Sequence, residues 1–222
     1  RGLGDVYKRQ TYNSNHIEGS RLTQEQTRHI FETNTLGVTD QAVNVDDVIE
    51  TSNHFRCIDL VIDKAASGRL TEAFVKELHR ILKAGTSDSR RTWFRVGEYK
   101  KFPNEVGGQE TTPPEQVAAQ MKALLSDYNA LTNKTLEDIV AFHHAFECIH
   151  PFQDGNGRVG RLIMFKECLA NRVVPFIIDE DLKLFYYRGL HEWDRAHEYL
   201  LDTCRTAQDN FRAVMRYFKI EM

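Results

Sequence analysis

Apolar side chains recur every three or four residues along most of this chain, which is the spacing of a helix that buries one face. The longest stripe spans 45–66 and ends before Gly68. A Thr23/Gln26 capping box opens an earlier helix, and Thr71 opens a later one. The remaining stripes cover 114–128, 136–149, 156–169, 184–193 and 198–218. We therefore predict an all-α bundle.

The helical spacing fails between Gly85 and Pro114. Glycine and proline residues bound this region on both sides, and its middle, 96–108, contains the turn pair Gly107-Gly108. Such punctuation is typical of a short, irregular β-hairpin. We expect one small hairpin attached to the helical bundle.

Composition narrows the class of protein. The 222 residues are enough for one domain with a substantial core, and the formal net charge of −3 gives no support for nucleic-acid binding. Cysteines are widely spaced without a Cys-x-x-Cys pair, which indicates reduced thiols rather than disulfides or a zinc site; they are Cys57, Cys148, Cys168 and Cys204. No membrane span or signal peptide is visible, so we expect a cytoplasmic protein.

The first ten residues, Arg-Gly-Leu-Gly-Asp-Val-Tyr-Lys-Arg-Gln, have no clear helical or strand period. They resemble translated sequencing-adaptor sequence at the end of a fragmentary gene. We interpret 1–10 as a non-native tail and leave it out of functional reasoning.

The most informative stretch is 150–161, His-Pro-Phe-Gln-Asp-Gly-Asn-Gly-Arg-Val-Gly-Arg. Pro151 should end the preceding helix, which places His150 at its C-terminus. The next helix begins near Asn156, so Gly155 and Gly157 lie at its start. The first N–H groups of a helix are unpaired and carry the positive end of its dipole, and glycine lets a phosphate approach them closely.

Charged residues complete this stretch. Arg158 and Arg161 are three apart and lie on one helix face, where each can bind phosphate oxygens in a bidentate manner. Asp154 fits this anion site if a Mg²⁺ ion lies between it and the phosphates. The imidazole of His150 has the right unperturbed pKa for a general base. The alternative is a structural turn between two core helices.

The stretch resembles the signature of the Fic family, His-x-Phe-x-(Asp/Glu)-Gly-Asn-Gly-Arg-x-x-Arg, at every fixed position. The resemblance implies a Fic-type helical bundle that transfers AMP from ATP to a Ser, Thr or Tyr hydroxyl of a target protein. It makes His150 the base and Asp154 the Mg²⁺ ligand. It also implies phosphate binding by Gly155, Asn156, Gly157, Arg158 and Arg161.

Near the N-terminus, 14–19 reads Ser-Asn-His-Ile-Glu-Gly, a short helical segment that Ser14 can cap and Gly19 can end. The segment resembles the inhibitory helix of the family, (Ser/Thr)-x-x-x-Glu-(Gly/Asn). The resemblance implies that Glu18 pairs with Arg161 and keeps the ATP γ-phosphate from its productive position. A solvated Glu18 on a surface helix is the alternative.

Two further regions follow from the same resemblance. The hairpin is similar to the Fic flap, which holds the target by strand addition; its candidate docking residues are Lys101, Phe102, Asn104 and Val106. Two features depart from the family: Pro103 removes one N–H from the hairpin, and the polar residues Asn104 and Glu105 occur where the family often has an apolar clamp. Tyr186 and Tyr187 are candidates for contact with adenine, although aromatic residues on a helix are more often core.

We divide the chain into the tail 1–10, an inhibitory helix and the following helix at 11–36, and a Fic domain at 37–222. The expected ligands are ATP, Mg²⁺ and a protein with an exposed hydroxyl side chain, with a homo-oligomer possible and no membrane contact. Two alternatives stay open. The same site could remove AMP from a modified target, with Glu18 positioning a water, or the domain could bind a nucleotide or a peptide without catalysis.

Overall fold

The computed structural model describes residues 2–37 and 40–219. Within these ranges, nine α-helices accompany one two-stranded antiparallel sheet. The helices are α1 (Gly2–Ile17), α2 (Gln24–Thr33), α3 (Val45–Lys64), α4 (Glu72–Lys83), α5 (Pro114–Ala130), α6 (Leu136–Ile149), α7 (Asn156–Ala170), α8 (Lys183–His191) and α9 (Glu198–Phe218). Strands β1 (Glu105–Val106) and β2 (Gln109–Glu110) form the hairpin. The predicted all-α bundle with a small hairpin is confirmed.

None of the helices in the described ranges has the length and apolar content needed to cross a bilayer.

Local signals set the helix ends. The Gln26 N–H donates to Thr23 Oγ1 at 3.1 Å, and the Thr23 N–H donates to Gln26 Oε1 at 2.8 Å, so the predicted capping box is present. Helix α6 ends at Ile149, two residues before Pro151. The predicted start of the next helix at Asn156 is also correct.

Helix α7 lies at the centre of the bundle and packs against α1, α3, α4 and α6. Its apolar side chains are almost fully buried, namely Val159, Leu162, Ile163 and Phe165. Arg158 and Arg161 on the same helix are buried as well. Buried charges are tolerated only when they are paired, so the partners of these two arginines define the surrounding site.

Helix α1 differs from the prediction. It begins at Gly2 and continues without a break through Ile17, although no helical period was evident in 1–10. Val6, Gln10, Ser14 and Ile17 lie on one face at helical spacing and are all buried. Because two of these four residues are polar, the spacing of apolar residues alone does not reveal the buried face. Ser14 is therefore inside a helix and does not cap one. Arg1 is outside the described residues, and the non-native origin of 1–10 stays a prediction.

The C-terminal part completes the core. An extended link after α7 leads to α8 and α9, and Gly189 allows these two helices to approach closely, since a Cβ there would lie 2.6 Å from Leu200 Cα. All four cysteines are free, with three buried and only Cys148 exposed. The C-terminal boundary of the predicted domain at residue 222 is outside the described residues.

Candidate active site

The loop between α6 and α7 is held by its own side chains. His150 adopts a left-handed backbone conformation, φ 50°, and its N–H donates to Phe146 O at 2.9 Å. The Asn156 side chain accepts from Phe152 N and donates to Phe152 O, both at 2.8 Å. The Asn156 amide thus fixes the loop, and only its backbone N–H, at the start of α7, remains for a phosphate.

His79 on α4 stabilises this loop through both of its ring nitrogens. Its Nδ1 accepts from the Gly97 N–H at 2.8 Å, so the proton resides on Nε2, which donates to Asp154 O at 3.1 Å. The His79 ring also stacks on Phe152, with centroids 4.0 Å apart. Burial lowers the pKa of His79 to about 3 and keeps the ring neutral. The role of His79 is therefore structural.

His150 is a neutral base at neutral pH. Burial, together with the charge of Lys100, lowers its pKa to about 4. Its Nδ1 lies 3.8 Å from Glu147 Oε2, one turn earlier on α6. The imidazole can therefore accept a proton at pH 7 without first losing one.

Arg161 binds two residues, Ser14 and Glu18, of the segment that resembles the inhibitory helix. Its Nε donates to Ser14 Oγ at 3.1 Å, and its terminal nitrogen donates to Ser14 O at 2.9 Å and to Glu18 Oε1 at 2.7 Å. Burial would lower the pKa of Arg161, but Glu18, Tyr186 and Glu147 together outweigh it and the pKa is raised. Gly19 ends the segment with φ 96°.

The Glu18 carboxylate lies against the first turn of α7. A Cβ on Gly157 would be 2.2 Å from Glu18 Oε1, so only glycine leaves room for that oxygen. Gly155 precedes the helix with φ 81°. Because the first turn of a helix attracts anions, Glu18 occupies the position that favours a phosphate.

A second group of charges surrounds Asp154. Its Oδ2 lies 2.6 Å from Lys83 Nζ and 3.4 Å from Arg158, and Glu50 on α3 contacts both cations. Burial would raise the pKa of Asp154, but Arg158 and Lys83 outweigh it and hold the pKa at about 2. The Arg158 side chain is almost completely buried and contacts the carboxylates of Glu50 and Asp154, while its Nε has no hydrogen-bond partner.

The Asp154 carboxylate could supply one oxygen ligand to the predicted Mg²⁺ site. It is ionised and its side chain is 50% exposed, so it can offer an oxygen to a hard cation. No group of three or more His, Cys, Asp or Glu side chains in the described part of the chain could hold a metal. This agrees with Mg²⁺ sites that use one carboxylate together with substrate phosphates.

The two candidate adenine contacts face different ways. Tyr186 is 1% exposed, and its hydroxyl lies 2.7 Å from His143 Nε2, so it belongs to the core and presents no face to a purine. Tyr187 is 39% exposed, and its hydroxyl donates to Ile17 O at 3.5 Å, next to Glu18. Consecutive helix positions point about 100° apart, which explains the difference.

The hairpin is attached to the site by a buried lysine. Lys100 Nζ donates to Asn104 Oδ1 at 2.7 Å, to Thr111 Oγ1 at 2.6 Å and to Ile149 O at 3.2 Å. Asn104 also donates to Phe152 O at 3.0 Å, so its side chain faces the motif loop and is not free to hold a target. The other candidate docking residues are exposed, namely Lys101, Phe102 and Val106.

Four charged residues of the site were missed by the sequence reading: Glu50, Lys83, Lys100 and Glu147. Each is buried or nearly so. Glu147 lies one turn before His150, so spacing to a candidate site residue could have indicated it, whereas nothing local to Lys83 points to the site. Glu50 and Lys100 come close only through tertiary packing.

Comparison with known proteins points to one family. Residues 69–168 match the Fic/DOC family. A protein adenylyltransferase of Caenorhabditis elegans, fic-1, is 26% identical over 194 residues, which are 86% of this chain and 37% of that protein. A protein adenylyltransferase Fic of Nematostella vectensis is 27% identical over 197 residues, covering 86% of this chain and 44% of that one. This chain thus spans less than half the length of these curated relatives.

A solved structure agrees with the family match. The Fic domain containing signaling protein of Bacteroides thetaiotaomicron superposes with a TM-score of 0.81 at 27% identity. The superposition covers 97% of this chain and 86% of that protein. The matched region contains the whole 150–161 motif, with His150, Asp154 and Arg161 placed as described above. Residues 69–168 therefore match the Fic/DOC family, and the fold of the chain is similar to that of a solved Fic-domain protein.

Proposed function

We propose that this chain is a protein adenylyltransferase that transfers AMP from ATP to a Ser, Thr or Tyr hydroxyl of a target protein. The observation that carries the proposal is a neutral His150 at the end of α6, beside an anion site at the start of α7. The names of the relatives from Caenorhabditis elegans and Nematostella vectensis support the same chemistry.

In the proposed reaction, His150 takes the proton from the target hydroxyl, and the hydroxyl oxygen attacks the α-phosphorus of ATP. A new oxygen–phosphorus bond forms, the bond from the α-phosphorus to the bridging oxygen breaks, and pyrophosphate leaves with that oxygen. The first turn of α7 and Arg161 hold the phosphates and stabilise the developing charge. Magnesium, held by Asp154 and the phosphates, would neutralise phosphate charge.

The hairpin places the target in this scheme. Its exposed residues Lys101, Phe102 and Val106 are available to an extended segment of the target, whereas Asn104 and Lys100 keep the hairpin at a fixed distance from His150. Tyr187 is the remaining candidate for stacking on adenine.

Glu18 restrains this activity in the proposal. Its carboxylate holds Arg161 and lies against Gly157, so a phosphate oxygen cannot reach either group until Glu18 leaves. The competition is between two anions for one guanidinium and one helix N-terminus.

The test is intact-protein mass after incubation with Mg²⁺ and ATP, for the chain as given, for Glu18→Gly and for Glu18→Gly/His150→Ala. We expect added AMP only on Glu18→Gly. Equal adduct on the unchanged chain and Glu18→Gly would remove the restraint from the proposal. Adduct on the variant without His150 would remove its role as base. No adduct on any variant, with an added protein extract as target, would reject the transferase.

Removal of AMP is the second candidate, because the charge of Glu18 acts on His150 and its carboxylate could orient a water. An AMP-modified protein incubated with the unchanged chain and Mg²⁺, without ATP, distinguishes the two. Release of AMP that requires Glu18 would favour removal. A chain that binds ATP but neither adds nor removes AMP would be the non-catalytic nucleotide-binding or peptide-binding module.

A further inference from the structure

We infer that Glu147 is a positioning residue for His150: its carboxyl accepts the Nδ1 proton of the imidazole and so keeps Nε2 free to act as the base. The inference rests on the proposed function for its catalytic meaning. The interaction itself is a property of the folded chain and can be measured without any reaction.

The geometry places both groups in one enclosed space. Glu147 and His150 are three residues apart on α6, and Glu147 Oε2 lies 3.8 Å from His150 Nδ1. Within the described part of the chain, neither His150 Nδ1 nor Glu147 Oε1 has a hydrogen-bond partner. A separation of 3.8 Å is too long for a hydrogen bond. Catalytic hydrogen bonds are often this long without substrate and shorten in the reacting complex.

Helix α7 leaves room for the Glu147 carboxyl. A Cβ on Gly160 would lie 2.6 Å from Glu147 Oε1 and 3.0 Å from His143 Nδ1, so a side chain there would displace the carboxyl. His143 Nε2, 4.0 Å from Glu147 Oε1, is already engaged with the Tyr186 hydroxyl at 2.7 Å. His143 Nδ1 and His150 Nδ1 are both without a hydrogen-bond partner, and it is His150 Nδ1 that the second carboxyl oxygen of Glu147, Oε2, approaches at 3.8 Å.

The chemistry requires such an acceptor. A neutral imidazole carries one proton, and a base that works through Nε2 must keep that proton on Nδ1. Burial raises the pKa of Glu147 to about 8, against the lowering effect of Arg161, so both forms of the carboxyl occur near neutral pH. The neutral acid still has one oxygen without a proton, so it can accept in either form.

A competing acceptor exists on the same residue. The backbone carbonyl of Glu147 also faces the imidazole and raises the pKa of His150. If this carbonyl alone fixes the ring, the Glu147 side chain is dispensable. Two variants separate these cases: Glu147→Met removes the acceptor at similar length, and Glu147→Gln keeps a neutral oxygen that can accept.

The experiment is nitrogen NMR of the histidine rings in uniformly ¹⁵N-labelled protein, with His150→Asn used to assign the signal. We expect the Nδ1–H form of His150 to dominate in the unchanged chain and in Glu147→Gln, and the Nε2–H form to gain population in Glu147→Met. An unchanged tautomer in a folded Glu147→Met, checked by its thermal melting, would overturn the inference.

Kinetics in the Glu18→Gly background test whether Glu147 affects catalysis. We expect Glu147→Met to lower kcat roughly 10- to 100-fold with the KM for ATP unchanged, and Glu147→Gln to recover most of the loss. Equal rates in the three chains would overturn the catalytic part. If Glu18→Gly forms no adduct at all, the proposed function fails, while the NMR result still decides whether Glu147 fixes His150.

Discussion

Arg161 and Glu18 are 143 residues apart in sequence, yet a guanidinium nitrogen of the first donates to a carboxylate oxygen of the second at 2.7 Å. Ser14 adds two further acceptors to the same guanidinium. The contact therefore links the segment after α1 to helix α7, whose first turn forms the anion site. Its strength decides how easily a phosphate reaches Arg161.

Glu18→Gly should strengthen ATP binding. A hydrogen bond to a charged group contributes about 1.5–3 kcal/mol, and 1.4 kcal/mol corresponds to about a tenfold change in affinity. We expect the Kd for ATP, measured by calorimetry with Mg²⁺, to fall by roughly tenfold or more. Glu180→Gly is the matched control, because Glu180 is exposed and forms ion pairs with His16 and Lys183 and not with Arg161. Equal Kd values in all three chains would contradict the restraint.

Ser14→Ala should release Arg161 only in part. It removes the Oγ acceptor at 3.1 Å but leaves the Ser14 carbonyl and Glu18 in place. The expected gain in ATP affinity is smaller than for Glu18→Gly, with a loss of about 1 kcal/mol in the free energy of unfolding. Calorimetry and urea unfolding measure the two effects. A gain as large as that of Glu18→Gly would show that Ser14, and not Glu18, controls the arginine.

Gly157→Ala should abolish nucleotide binding even though it also displaces Glu18. The added Cβ would lie 2.2 Å from Glu18 Oε1, where a phosphate oxygen is also expected. Gly4→Ala is a suitable control, since its Cβ meets only Phe31, at 3.5 Å. The measurement is ATP binding by both variants in the Glu18→Gly background. Retained affinity in Gly157→Ala would place the phosphates away from α7.

The fold and most of the site follow from sequence patterns for identifiable reasons. Helices with strong apolar stripes and caps, such as α3 and α6, begin and end near the predicted residues. The 150–161 stretch combines local turn chemistry with charged groups, so it can be interpreted without tertiary information. The approach of Arg161 to Ser14 and Glu18 required the family pattern, because nothing local links these positions.

The remaining features depend on packing. Helix α1 was missed over 2–10 because Gln10 and Ser14 interrupt its buried face. Arg158 contacts Glu50 from a distant helix, a partner that no local pattern indicates, and its predicted contact with a phosphate stays a prediction. Tyr186 and Tyr187 are adjacent in sequence, and only the packing of α8 shows which one is buried. Side-chain partners across helices are the information that a single sequence lacks.

Lys100→Met should raise the pKa of His150. Burial is the main cause of the low value of about 4, and the charge of Lys100 is the second. Removing the charge should therefore move the pKa upward, while burial keeps it below 6.5. NMR titration of the His150 ring protons measures the shift. Lys101→Met is the control, since Lys101 is exposed and adjacent. No difference between the two variants would assign the low pKa to burial alone.

Stability should fall as the pH drops below 6.5. Burial lowers the pKa of His54, His79 and His143 to about 3, and burial with Lys100 lowers that of His150 to about 4, so only the unfolded chain binds protons at these four rings in that range. The folded state therefore loses about 1.4 kcal/mol per ring per pH unit. Glu147 has the opposite sign, since burial raises its pKa to about 8.

The sum of these contributions is large compared with typical stabilities. The unfolded rings are only half protonated at pH 6.5, so four rings minus one carboxyl leave a loss of about 3 kcal/mol between pH 6.5 and 5.5, against total stabilities of about 5–15 kcal/mol. Urea unfolding at these two pH values measures it. His54→Asn should reduce the loss by about a third, because it removes one ring from a net of three. A free energy of unfolding independent of pH in this range would mean that the four rings are not buried in the neutral form.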